Sequence, residues 1–212
     1  MTEDSKAYWA WLQLSLGEGS FKPKRILSYF PDIPSFYNAG PTQWRSLGLF
    51  TPKELKQLSQ NTLEDGKVLI ASNEEKGIQT ITPACKAYPQ RLYQIDNPPC
   101  MLYVKGTLPN LDEQPALAVV GTRNATTTGK QITYDLSMQL AQAGMVIISG
   151  GAKGIDTAAH QGALQGNGIS VCVLGCGIEY PYLMENESMR QSIAEHGAII
   201  SEFPVTKPAF KH

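Results

Sequence analysis

The sequence predicts an α/β protein, a Rossmann-like parallel sheet with helices on both faces, preceded by a small all-helical module. Three observations predict it. From Leu117 onward, apolar runs without polar alternation ("LAVVG", "MVIIS", "ISVCVLG", "GAIIS") are separated by stretches of helical periodicity, as in parallel strands covered on both sides. The first two runs end in glycine-bearing turns that open helices. The residues before 65 hold no such runs, only short helix-like pieces.

Taken in order, "AYWAWLQLSL" places Tyr8, Trp11, Leu12 and Leu16 near helical spacing, and "KPKRILSYF" and "TPKELKQLSQ" follow. Thr51, Pro52 and Glu54 supply an N-cap, a proline at the first helical position and an acid in the first turn. Small helices joined by Gly/Pro-rich links suit a sterile-alpha-motif or helix-hairpin-helix module over residues 1–64. Its aromatics read as core, with base stacking as the alternative. The second domain is expected over 65–212. It begins with "IQTIT" and "MLYV", short strands at a sheet edge among Pro83, Pro89, Pro98 and Pro99. Helices are then predicted over Thr126–Ala143, from about Gly154 to Gln165, and from about Glu185 to Glu195.

Composition narrows the function. A chain of 212 residues, 42% hydrophobic, can bury a sizeable core. No apolar run approaches membrane-spanning length, and the acidic start lacks the basic region of a secretory signal, so a cytoplasmic protein is expected. Cys85, Cys100, Cys172 and Cys176 form no CxxC pair and read as reduced thiols. The formal net charge is −1, and acids outnumber bases from Leu111 onward. A polyanion would therefore be held by a local cluster rather than by a basic surface.

In a sheet of this kind, ligands sit beyond the carboxyl ends of the strands. Three turns are predicted to converge there: "GTRNATTTG" (Gly121–Gly129), "SGGAKG" (Ser149–Gly154) and "GCGIEY" (Gly175–Tyr180). The first two precede helices, so unpaired N–H groups and the positive helix end would face the crevice. Arg123 and Lys153 add charge, one from each turn, in an arrangement that suits a phosphate bridged between them. The dinucleotide fingerprint GxGxxG is missing after the first strand, and no GxxxxGK[ST] is present. Neither a nicotinamide or flavin cofactor nor ATP hydrolysis is indicated. Asp156 and His160, four apart on one helix face, read as a capping acid and a satisfied histidine, with an acid/base couple as the alternative. There is no GxSxG elbow and no metal-like cluster around the three histidines.

The segments "AVVGTRNATTTGKQ", "AGMVIISGGAKGIDTAAHQGAL", "VCVLGCGIEYPY" and "GAIISEFP", with "YPQRLYQIDNPPCMLYVKG" upstream, resemble in order and spacing the DprA/Smf family, DNA processing protein A of bacteria. The resemblance covers about residues 65–212 and extends to the helical module. It implies a non-catalytic, cofactor-free protein that binds and protects single-stranded DNA and assists loading of the RecA recombinase in natural transformation and recombination. The family's DNA-binding pocket maps onto Gly121, Thr122, Arg123, Ser149, Gly150, Lys153 and Gly154. Phe210 and Lys211 lie where the chain would return across that pocket. The family is also related to the Lonely-guy phosphoribohydrolases, whose Pro-Gly-Gly-x-Gly-Thr-x-x-Glu signature has no counterpart here. A nucleoside-monophosphate N-glycosidase is the enzyme alternative. This chain departs from the family pattern at Gly151, where Leu is usual, and in "YLMEN" (Tyr182–Asn186). It ends at "PAFKH", before the segment with which the family's domain continues. The expectation is therefore a piece of a longer protein, homodimeric when intact and monomeric in this form.

Overall fold

The computed structural model describes residues 3–209, and the chain divides into two compact units, Met1–Leu102 and Tyr103–His212. In the first unit α1 (Glu3–Leu16), α2 (Lys22–Ile26), α3 (Ile33–Ser46), α4 (Pro52–Gln60) and α5 (Leu63–Glu75) are followed by β1 (Gln79–Ile81) and α6 (Gln90–Tyr93). The expected start of α4 is seen atom by atom. Thr51 Oγ1 accepts from the Glu54 N–H at 3.3 Å, and the Glu54 carboxylate accepts from the Thr51 N–H at 2.7 Å. Thr62 and Asp65 repeat this reciprocal cap at α5, which carries the helical run through the boundary read at residue 65. Inside α5, Gly66 is required by close approach, because a Cβ there would lie 2.5 Å from the Ala7 carbonyl oxygen of α1.

The aromatics of this unit build its core. Trp11 and Phe36 are fully buried and Trp44 nearly so, with ring centroids 5.6–6.0 Å apart. The Trp11 and Trp44 indole N–H groups are spent on the Asn61 and Phe36 carbonyls. These rings are structural and are not displayed for base stacking.

The second unit contains β2 (Leu102–Gly106), whose first residue closes the first unit, β3 (Ala116–Ala118), α7 (Thr127–Gln142), β4 (Val146–Gly150), α8 (Ile155–Gln165), β5 (Ser170–Leu174), a single 3₁₀ turn (Met184–Asn186), α9 (Glu187–His196) and β6 (Ala198–Ser201). The strand order is β2-β6-β5-β4-β3. Strands β3, β4, β5 and β6 are parallel, in the register Ala118↔Ile148, Ile148↔Val171 and Val171↔Ala198. The strands from β3 onward pair in parallel as expected, and β2, read from the sequence as an edge strand without a direction, runs antiparallel to β6 with Tyr103 opposite Ser201. Pairing direction is a long-range property that a run such as "MLYV" does not encode. Ile147 of β4 and Cys172 and Leu174 of β5 share one face of the sheet, where they are buried with Ala159 and Ala163 of α8 and Ile193 of α9. Among the described residues no helix is long and apolar enough to cross a membrane.

Candidate nucleic-acid interface

Because β3, β4 and β5 are parallel, the turns that follow them emerge at one edge, as the sequence predicts. The first runs from β3 to α7. The Thr122 hydroxyl accepts from the Asn124 N–H at 3.1 Å, and the Thr126 hydroxyl caps α7 by accepting from the Gly129 N–H at 3.1 Å. This side-chain bonding fixes the loop that carries the exposed Arg123.

The second turn locks onto the first. Gly154 has φ +84° and ψ −119°, a region closed to residues with a Cβ, and a Cβ there would run into the Thr122 and Arg123 carbonyls. The Ile155 N–H donates to that same Thr122 carbonyl at 3.3 Å. At Gly150 an added Cβ would lie 2.6 Å from Asp156 Oδ2, so the bare backbone makes room for a carboxylate beneath the turn. Asp156 is buried and faces the Ala152 N–H at 3.4 Å. Burial holds its carboxyl above the usual range, opposed by the backbone N–H groups of Ala152 and Gly121 and by the Arg123 charge. Asp156 thus braces the turn ahead of α8 rather than capping the helix, whose N-cap is Gly154.

Ser149 is buried, and its hydroxyl donates to the Val119 carbonyl at the end of the neighbouring strand, at 2.5 Å. Its part in the crevice is to tie two turns together. His160 is fully buried. Its Nε2–H donates to the Gly150 carbonyl at 3.0 Å, and Nδ1 of the neutral ring accepts from the Ser170 hydroxyl at 2.8 Å, which also lies 3.0 Å from the Ile147 carbonyl. Burial pulls the imidazole down to about 4, against the opposing effect of Gly150. The ring is therefore a neutral strut, the satisfied histidine of the sequence reading. In a trans peptide the N–H points opposite to the preceding C=O, so fixing the Gly150 carbonyl on the ring turns the Gly151 N–H away from it.

The third turn is roofed by the chain that follows β6. The Gly177 N–H donates to the Lys207 carbonyl and the Glu179 N–H to the Val205 carbonyl, both at 2.8 Å. This roof brings Phe203 and Ala209 to a cleft of about 380 Å³ that also contains Arg123, Gly150, Asp156 and Tyr182. A second cleft, of about 400 Å³, lies across the Gly150–Gly154 turn and is lined by Lys130, Tyr134, Lys153, Gln161 and Glu185. Arg123 and Lys153 therefore line different clefts. The Lys153 ammonium is moreover paired with Glu185 at 2.7 Å, both side chains being about half exposed. Sequence reasoning missed this pairing and the contributions of Tyr182 and Phe203, because each joins segments far apart in the chain. Phe210 and Lys211 lie outside the described residues.

The remaining chemistry is muted. Burial pushes the Cys172 thiol up to about 12 and raises that of Cys176, so neither is a ready nucleophile. Among the described residues no group of three or more His, Cys, Asp or Glu side chains is placed to hold a metal ion.

A profile of the DNA recombination-mediator protein A family matches residues 79–212. The chain belongs to this family. The Smf protein of Synechocystis is 34% identical over 98% of this chain and 54% of its own length. DNA processing protein DprA of Bacillus subtilis is 36% identical over 68% of this chain and 49% of its own length. This family member thus spans about half the length of the curated relatives it matches. Its fold is similar to that of DNA processing protein A from Streptococcus pneumoniae, with a TM-score of 0.77 and 24% identity over 99% of this chain and 71% of that one. It is also similar to DNA processing protein A from Helicobacter pylori, with a TM-score of 0.54 and 33% identity over 63% of this chain and 59% of that one, a protein solved for its unique single-stranded DNA binding mode.

Proposed function

We propose that this chain is a non-catalytic DNA-binding part of a recombination mediator, which receives single-stranded DNA at the edge where β3, β4 and β5 end. The observation that carries the reading is the convergence of three turns on a cleft whose cation is Arg123 and whose floor is the backbone of Gly150 and Gly151. Phosphate oxygens suit backbone donors and a planar guanidinium. Gly121, Thr122, Gly150 and Gly154 shape the backbone, Ser149 and Asp156 brace it, and Arg123 and Lys153 supply charge. Family membership and the single-stranded DNA binding of the Helicobacter relative support the same reading. On it, the intact cytoplasmic protein is a homodimer that protects incoming DNA and assists RecA loading.

The test is titration of a labelled unstructured oligonucleotide at several salt concentrations. Affinity should fall with a log–log slope of about −0.7 per phosphate neutralised, and Arg123→Glu should weaken binding tenfold or more. Unchanged affinity in that variant refutes the crevice.

One observation favours a second reading. Asp156, a carboxyl held above its usual range, lines the same cleft as Arg123, the pairing an acid-assisted loss of base from a nucleoside monophosphate would use. Incubation with each monophosphate, followed by chromatography for free base, distinguishes the two. Turnover abolished by Asp156→Asn would establish the enzyme, and absence of free base removes it.

A further inference from the structure

The second cleft adjoins the crevice just assigned, shares Lys153 and Gly154 with it, and extends away from the strand ends. It lies between α7 and α8, with Thr127, Lys130 and Tyr134 from the first helix and Thr157 and Gln161 from the second. Lys130 and Gln161 are exposed and Tyr134 is half-buried, so with Lys153 two cations, an aromatic ring and an amide line one concavity next to the proposed DNA path.

Its mouth is already occupied by an anion, and that anion belongs to the protein. Glu185 Oε1 lies 2.7 Å from Lys153 Nζ, where a phosphate oxygen would make the same charge-assisted contact. The carboxylate is placed there by construction. Glu185 is the middle residue of the 3₁₀ turn that follows Leu183, a non-glycine residue at φ +44°. The next residue, Asn186, is buried and donates from Nδ2 to the Thr157 hydroxyl at 3.1 Å. That hydroxyl donates in turn to the Ala152 carbonyl at 2.8 Å, directly before Lys153. Two hydrogen bonds thus hold the segment bearing Glu185 against the turn bearing Lys153. The ion pair itself is about half exposed on both sides, and exposed pairs of this kind are weak. Glu185 is fixed in position but exchangeable as a partner.

We propose that the α7–α8 cleft is a second nucleotide subsite, and that Glu185 occupies its anion position in the free protein as an internal competitor displaced by a DNA phosphate. The inference rests on the reading of the strand-end crevice as a DNA site. A strand seated at Arg123 crosses the Gly150–Gly154 turn, exchanges Glu185 for a phosphate at Lys153, and lays the adjoining nucleotide against Tyr134 with its next phosphate at Lys130. Glu185 thereby lowers affinity for DNA and penalises anions that cannot reach both clefts.

The experiment compares wild type, Glu185→Gln, Lys130→Gln, Tyr134→Ala and Arg123→Glu in the full chain, titrated with an unstructured oligothymidylate by fluorescence anisotropy. Circular dichroism and thermal melts check that each variant is folded. Glu185→Gln should tighten binding two- to five-fold, the range set by an exposed pair. Lys130→Gln should weaken binding and reduce the magnitude of the salt slope by about 0.7. Tyr134→Ala should weaken it about five-fold or more through lost stacking, with Tyr134→Phe restoring it. If Arg123→Glu abolishes binding while the Glu185, Lys130 and Tyr134 variants all match wild type, the subsite is wrong and the crevice stands. If Arg123→Glu binds as wild type does, the crevice itself fails and the subsite with it. Weaker binding by Glu185→Gln overturns the role of Glu185 as a competitor.

Discussion

Acidification should unfold this protein through His160. The ring is fully buried and neutral, held between the Gly150 carbonyl and the Ser170 hydroxyl, and its folded-state value is about 4 against 6.5 for the free side chain. Protons therefore bind the unfolded chain first as the pH falls. The stability contributed by neutral His160 is complete above 6.5, declines below it, and continues to fall until the folded ring titrates near 4. One pH unit across one proton is worth about 1.4 kcal/mol, so the loss is about 2 kcal/mol at pH 5 and about 3 kcal/mol at pH 4. The assay is urea unfolding from pH 7.5 to 4 for wild type and His160→Gln, which removes the titration and keeps an amide donor for Gly150. The variant starts less stable, but the two curves should converge as the pH falls, because the carboxylates that titrate in both cancel in the difference. Parallel curves over the whole range would refute this account of the buried ring.

Other outcomes are expected. Gly154→Ala should cost about 2–5 kcal/mol, combining a forbidden φ/ψ with a clash against the Thr122 carbonyl; urea unfolding measures it, and a loss below 1 kcal/mol means that the turn relaxes. Asp156→Asn removes a carboxyl whose folded value is raised. The advantage of wild type over the variant should be largest below the ordinary aspartate range and shrink as the pH rises past the folded value, as the same pH series on this pair reads out. Thr51→Ala removes half of the reciprocal cap on α4 and should cost about 1 kcal/mol, seen as a lower thermal midpoint.

Local chemistry made much of this fold legible. Thr126, Thr51 with Pro52, and the glycine turns each announce an element through one or two residues, and α7, α8 and α4 begin where those residues place them. What escaped was non-local. Gly66 argues against helix by propensity, yet α5 runs through it because α1 packs too close there for any side chain. The direction of β2 depends on β6, almost a hundred residues later. At the site, the glycines and Arg123 were readable from spacing, whereas the partner of Lys153 was not, since Glu185 arrives from a loop two elements downstream. Ser149 was named only through the family resemblance, and the bond from its hydroxyl to the Val119 carbonyl joins two strand ends that no local pattern links.

The joint between Thr122 and Gly154 has a thermodynamic consequence. Two turns that share a carbonyl acceptor and leave no room for a methyl group move as one body, and His160 anchors the second of them to the core. On the proposed function, the crevice is preorganised, so little conformational entropy is lost on the protein side when DNA arrives. That cost falls on the flexible strand. Affinity should then respond more to how the DNA is constrained than to how the protein is stabilised, and a stiffened or pre-stacked oligonucleotide should gain more than any variant that merely raises the melting temperature.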